Sequence, residues 1–175
     1  MEKTEEIEEI INLAKKKKIK ILIVKAGNKI NIEKYMYFTV LWPKEDELIS
    51  ENSINNNSIV AKLTYKNTSA LFTGDIEEKA EKKILNLYKN NPKILKANVL
   101  KIAHHGSKTS STKEFLDAVS PEVALIGVGQ NNKFGHPSEE TIKKLKLLKT
   151  KIYRTDKMGE ICIDGKRITI LMNSE

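Results

Sequence analysis

Four side chains in this sequence are of the types that hold metal ions in hydrolases: Asp75, His104, His105 and His136. Each stands in a polar segment that follows a predicted strand, within Thr-Gly-Asp, His-His-Gly-Ser and Gly-His-Pro. Layered α/β folds place their sites at strand ends and in the loops after them, so we expect the four side chains to share one site. Carboxylates and imidazoles suit zinc or manganese, which indicates a metal site.

The position of Asp75 directly after Gly74 has two interpretations. A tight turn at the glycine would aim the carboxylate into a pocket, where its two oxygens bridge two metal ions. Alternatively, Asp75 caps a helix that begins at Ile76, which is a common position for aspartate. Taken alone, the residue favours the helix cap over the bridging ligand.

The segment that begins with His104 and His105 combines imidazoles with hydroxyl groups. Neighbouring residues at a strand end point to opposite sides, so we expect only one of the two imidazoles to bind a given ion. Ser107, Thr109 and Ser110 offer hydroxyl and backbone donors just before a predicted helix, which is a natural anion site. The alternative is an exposed loop with two incidental histidines.

His136 immediately precedes Pro137, at the predicted start of a helix. The positive end of that helix would lower the pKa of the imidazole and direct it at whatever the helix end binds. Alternatively, His136 serves as the cap of the helix.

The hydrophobic pattern predicts a strand-rich first part followed by alternating strands and helices. The predicted helices cover 5–17, 76–89, 112–119 and 137–148. The predicted strands cover 19–25, 29–32, 37–42, 58–65, 69–73, 99–103, 123–128, 151–155, 160–163 and 167–172. This order indicates a layered α/β domain, or α+β, over residues 1–175, with helices on a face of the sheet.

Composition indicates a globular protein with an anionic partner. The net charge is +8, hydrophobic residues make up 39% and charged residues 31% of the chain. This positive charge favours nucleic acid, although a lysine-rich, asparagine-rich composition is also typical of an AT-rich genome. The lone Cys162 excludes an intrachain disulfide and is expected to be buried. No apolar run approaches the roughly 20 residues of a membrane span, so the chain as written is expected in the cytoplasm.

Four motifs follow one another along the chain: Leu71-Phe72-Thr73-Gly74-Asp75, Ala103-His104-His105-Gly106-Ser107, Phe134-Gly135-His136-Pro137 and Tyr153-Arg154-Thr155-Asp156. In this order they resemble the metallo-β-lactamase-fold domain of ComEC-type DNA-uptake (competence) proteins. The resemblance begins at about residue 5 and is strongest from Asn55 to Gly159. It implies the C-terminal portion of an αββα sandwich and, in a full-length protein, a position on the extracytoplasmic face of the inner membrane.

The resemblance also implies a chemistry and a set of roles. The family hydrolyses with hydroxide bound to a dinuclear zinc or manganese site, and the implied substrate is the phosphodiester backbone of the DNA strand that is not imported. Asp75 resembles the bridging ligand, and His105, in preference to His104, resembles a histidine ligand. His136 resembles a substrate-facing or proton-donating group. Phosphate contacts are implied for Ser107, Lys108, Thr109 and Ser110.

The sequence departs from the family at the first metal motif, His-x-His-x-Asp-His, because no histidine precedes residue 104. A catalytic zinc site needs about three protein ligands, so we expect weak metal binding or none by this chain alone. The missing N-terminal half, or a partner in a homo-oligomer, would supply the rest. Three functions remain: part of a metal-dependent nuclease, a non-catalytic remnant that binds DNA or a partner, and a hydrolase of a small phosphoester.

Overall fold

The computed structural model of the chain describes residues 5–164. Its helices are α1 (Glu5–Lys16), α2 (Ser53–Asn56), α3 (Glu78–Leu87), α4 (Lys113–Val119), α5 (Glu139–Leu147) and α6 (Thr155–Met158). Its strands are β1 (Lys29–Glu33), β2 (Met36–Trp42), β3 (Val60–Tyr65), β4 (Thr68–Phe72), β5 (Val99–Lys101), β6 (Val123–Ile126) and β7 (Lys151–Arg154). The α/β layered class predicted from the sequence is confirmed.

The seven strands form one mixed sheet in the order of the chain, from β1 to β7. Neighbours from β1 to β4 are antiparallel: tight hairpins join β1 to β2 and β3 to β4, and the longer segment 43–59, which contains α2, joins β2 to β3. Neighbours from β4 to β7 are parallel, because a helix connects each pair. The parallel half therefore brings the ends of β4, β5 and β6 to one edge of the sheet.

One face of the sheet is covered by α3, α4 and α5. Leu71, Leu100 and Ala124 lie side by side on adjacent strands and are fully buried. They join one core cluster with apolar side chains of the helices, such as Ile84 of α3 and Phe115 of α4. The alternating pattern of β4 and β5 thus fixes which side chains reach this core.

The opposite face of the sheet is apolar and only partly covered. Phe72, Lys101 and Leu125 lie in one row across β4, β5 and β6. The Phe72 side chain is 41% exposed, and its ring lies 6.1 Å from the ring of Phe38. Within residues 5–164, this face of the sheet is therefore apolar and incompletely covered.

The prediction of a strand over residues 19–25 is wrong. The segment has the composition of a strand, but no strand is assigned there, and Ile19, Leu22 and Ile23 are exposed. Strand structure requires backbone pairing with a neighbour, and within residues 5–164 the β1 edge of the sheet does not provide it.

The predictions near the C-terminus have mixed outcomes. No strand is assigned over residues 160–163, and Cys162, expected to be buried, is exposed. The strand predicted over 167–172 lies outside the described residues. Within residues 5–164, none of the helices has the length and apolar character that crossing a membrane requires.

We expect Leu100→Ala to lower the free energy of unfolding by about 2–5 kcal/mol, because the deletion leaves a cavity at the centre of the packed face. The matched control is Leu147→Ala, since Leu147 is 74% exposed and its truncation should change stability by less than about 0.5 kcal/mol. Urea denaturation of the two variants measures both values. Equal losses would contradict the placement of the core.

Candidate functional site

The predicted site residues lie where the parallel strands end. Asp75 follows β4, His104 and His105 follow β5, and the loop after β6 contributes Gly127 and His136. The carboxyl ends of parallel strands meet at one edge of a sheet, as expected from the order of elements. The four residues of types that bind metals are therefore brought to one edge.

His104 and His105 form a turn that no local signal predicts. Their φ values are 48° and 54°, and Gly106 follows at 84°, so three consecutive residues adopt left-handed conformations. The backbone N–H of His104 donates to the carbonyl of Gly74 at 3.1 Å, which joins the ends of β4 and β5. A side chain at Gly106 would place its Cβ 2.5 Å from Cβ of Pro137, so only glycine fits there.

His105 faces Asp75 across the edge of the sheet. Its Nδ1 lies 2.7 Å from the carbonyl oxygen of Gly127, and its Nε2 lies 3.9 Å from Oδ1 of Asp75. A carbonyl oxygen only accepts, so Nδ1 carries the proton and, in the neutral ring, Nε2 presents a lone pair to the carboxylate. Two acceptors that face each other at this distance are the arrangement of two ligands that share a cation.

His104 points the other way, toward Glu77. Its Nδ1 is buried and, among the described residues, has no hydrogen-bond partner; Oε1 of Glu77 lies 3.5 Å away. Its ring centre lies 5.8 Å from that of His136. The two neighbouring imidazoles thus diverge, as expected, but the left-handed turn causes the divergence, not strand alternation.

Glu77 and Lys101 belong to the site and were missed from the sequence. The Glu77 carboxylate accepts hydrogen bonds at 2.9 Å from Thr109 Oγ1 and from Asn52 Nδ2, so it ties two loops to the turn. Burial lowers the pKa of the half-buried Lys101, and the charge of Asp75 opposes that shift. The only sequence signal was position: Glu77 lies two residues after Asp75, and Lys101 lies three residues before His104.

Neither Asp75 nor His136 caps a helix. Helix α3 begins at Glu78, and α5 is capped by Ser138, whose hydroxyl accepts from the N–H of Thr141. His136 is held by Asn132, which accepts its backbone N–H at 2.9 Å and donates to its carbonyl at 2.8 Å. The pKa of His136 is lowered as expected, but partial burial is the main cause, followed by His104 and His105.

The hydroxyl groups expected to hold phosphate are largely engaged inside their own loop. Ser107 and Ser110 are buried, and the Ser110 hydroxyl donates to the carbonyls of Ala103 and Ser107. The Thr109 hydroxyl donates to Glu77, while Lys108 is exposed. These contacts favour a role in shaping the loop, and phosphate binding by the four residues stays a prediction.

A carboxylate of the chain itself accepts the backbone donors directly before α4. Glu81 is fully buried, and its two oxygens accept the backbone N–H groups of Ser111 at 2.6 Å and Thr112 at 2.8 Å. Burial raises the pKa of Glu81, partly opposed by these hydrogen bonds and by Lys144. Glu81 therefore stabilises the contact between α3 and α4.

The described residues do not complete a metal site. No group of three or more histidine, cysteine, aspartate or glutamate side chains within residues 5–164 converges as ion binding would require. Asp75 and His105 alone supply facing acceptors, and a catalytic ion needs about three protein ligands. The half-site and its weak metal binding stay predictions.

The comparison with protein-family models found no match. Among curated proteins, the chain is similar to ComE operon protein 3 of Bacillus subtilis, with 34% identity over 88% of this chain and 19% of that protein. It is 36% identical to competence protein ComA of Neisseria gonorrhoeae, over 71% of this chain and 17% of that protein. It is 29% identical to recombination protein 2 of Haemophilus influenzae, over 74% of this chain and 15% of that protein. The chain spans less than a fifth of the length of each of these relatives.

We expect Gly106→Ala to destabilise the protein by more than about 1–2 kcal/mol, because a left-handed alanine is strained and its Cβ collides with Pro137. Gly129→Ala is the control, since no atom lies within 4 Å of a Cβ there. Thermal unfolding compares the two variants. A Gly106→Ala variant as stable as the control would contradict the geometry of the turn.

Glu81 should make stability depend on pH. Its pKa in the folded protein is raised above the ordinary 4.5, so its contribution is complete below that value and is lost as the pH rises through the folded pKa. The unfolding free energy of the wild type, minus that of Glu81→Gln, should therefore fall as the pH rises above about 4.5. Urea denaturation from about pH 4 to 8 measures this difference. A difference that does not change with pH, which is the result expected for the exposed Glu114→Gln, would contradict this prediction.

Proposed function

Because this chain belongs to the ComEC-type competence proteins, of which it matches one segment, we propose that it contributes half of a metal-dependent phosphodiesterase site that acts on DNA during uptake. The observation that carries the proposal is the pair of facing acceptors, Nε2 of His105 and Oδ1 of Asp75, 3.9 Å apart. A zinc or manganese ion between them, with further ligands from outside residues 5–164, would supply an activated hydroxide.

The residues around this pair have roles that follow from their positions. The Gly127 carbonyl holds the His105 ring in the tautomer that leaves Nε2 free to bind an ion. The ammonium of Lys101 adds a positive charge near Asp75, where a phosphodiester oxygen gains negative charge during hydrolysis. His136 is beside His104 and, with its lowered pKa, is a neutral group at pH 7 that donates or accepts a proton.

A second candidate function is non-catalytic binding of DNA or of a protein partner. It is favoured by the lack of a third metal ligand among the described residues and by the net charge of +8. A hydrolase of a small phosphoester has no observation of its own in its favour, because the side chains of the facing pair are 42% and 51% exposed. The DNA partner, the partner that completes the site and the extracytoplasmic location all stay proposals.

The test places the segment that precedes the matched region of the Bacillus subtilis relative ahead of this chain. Hydrolysis of single-stranded DNA with manganese is then measured for the fusion and for the chain alone. We expect turnover only in the fusion, and a loss of about a hundredfold or more on Asp75→Asn, because the substitution removes a charged ligand without changing its shape.

The matched control for that experiment is Asp117→Asn, which removes the same charge from an exposed ion pair with Lys113 on α4. It should leave hydrolysis unchanged. Turnover by the chain alone that Asp75→Asn abolishes would show that the site is complete, against the proposal. A fusion whose hydrolysis responds equally to both substitutions would favour the non-catalytic function.

A further inference from the structure

Lysine and tyrosine side chains lie along the β1–β2 hairpin and at two hairpin turns: Lys29 is at the start of β1, and Lys34 and Lys66 are in the turns. The Lys29 ammonium is 3.6 Å from the centre of the Tyr37 ring, and the ammonium groups of Lys34 and Lys66 are each 5.2 Å from a tyrosine ring. The turn after β1 contacts the turn after β3, because the N–H of Lys66 donates to the carbonyl of Tyr35 at 3.2 Å. We call this surface the Lys–Tyr patch: Lys29, Lys34, Tyr35, Tyr37, Tyr65 and Lys66.

A groove of about 360 Å³ adjoins the patch. One wall is the face of β2 and β3, which presents Tyr37, Thr39, Lys62 and Thr64, and the other includes Ile94. Lys62 connects the walls, because its ammonium donates to the carbonyl of Ile94. Among the described residues that line the groove, hydroxyl and ammonium groups predominate and no carboxylate occurs.

The proposed metal half-site follows the ends of β4 and β5, whereas the two hairpin turns of the patch lie at the other end of these strands. Tyr65, which precedes the turn residue Lys66, pairs with Thr68 at the start of β4, and Asp75 follows the end of β4. Lys29 is in register with Leu71 but lies on β1, three strands away from β4. Losses of binding at the patch and of chemistry at the half-site are therefore separable by substitution.

We propose that the Lys–Tyr patch and its groove bind single-stranded DNA. The lysines match the phosphate backbone in charge, and the Tyr37 ring offers a surface on which a base stacks. Base faces are accessible only in single strands, which favours them over a duplex. The choice of DNA as the ligand rests on the proposed function, whereas the assignment of the surface rests on the geometry of the patch.

The test measures the affinity of the full chain for a fluorescent single-stranded oligonucleotide at several salt concentrations, with a chelator present and no metal. The triple variant Lys29→Gln, Lys34→Gln and Lys66→Gln should bind more than tenfold more weakly at low salt. Its salt slope should shrink by about 2, since each contacted phosphate of a single strand contributes about 0.7.

The matched control is Lys89→Gln, Lys143→Gln and Lys146→Gln, which lowers the net charge equally at exposed positions on and after helices. It should retain most of the affinity and of the salt slope. Equal weakening by the two triple variants would overturn the proposal, because binding would then follow net charge and not this surface.

The aromatic contribution is tested at Tyr37. Tyr37→Phe should retain affinity, and Tyr37→Leu should lower it about tenfold, because leucine keeps the apolar bulk but not the ring face. The proposal would be overturned if Tyr37→Leu bound the oligonucleotide like the wild type and inorganic polyphosphate competed for binding as effectively as DNA. Failure of the phosphodiesterase proposal would be recognised separately, as a fusion that binds the oligonucleotide normally and does not hydrolyse it.

Discussion

The geometry of the candidate site depends on the left-handed turn at His104, His105 and Gly106. Each non-glycine residue in this conformation costs about 1–2 kcal/mol, so the turn persists only because its surroundings hold it. The Gly74 carbonyl accepts from its first residue, and the N–H of Ser138 donates to the Gly106 carbonyl at 2.9 Å. Through these bonds the turn joins the end of β4 to the start of α5, and the relative positions of Asp75, His105 and His136 follow from it.

Local sequence signals predicted the parallel half of the fold. Features that depend on contacts between distant parts of the sequence were not predicted. Thr112 and Ser138 cap α4 and α5 as serine and threonine usually do, and apolar runs gave β5 and β6. The segment 19–25 has the same local signals as a strand but lacks a partner within the described sheet. The conformation of His104 and the burial of Glu81 depend on contacts distant in sequence, so residue types at those positions carried no sign of them.

The buried carboxylate of Glu81 changes the electrostatic interpretation of the chain. Serine, threonine and backbone amides before a helix are typical of a phosphate site, yet here Ser111 and Thr112 donate to Glu81. A phosphate would have to displace a buried side chain that already has these donors. The excess of positive charge therefore acts at the surface, where exposed lysines on strands and turns attract a polyanion with a strength that falls as salt rises.

The proposed half-site and the uncovered face of the sheet pose one physical problem. The side chains of Asp75 and His105 are 42% and 51% exposed, and they lie near Lys101, which shares its row on that face with Phe72. The Lys101 ammonium donates to the carbonyl of Ile102, so a cation for the proposed half-site would come from solution. If such an ion joined Asp75 to His105, two ligands would hold it weakly, and further ligands would approach from the exposed side. A segment that supplied those ligands and also extended over Phe72 would bury the apolar face, which would add to the free energy of metal binding.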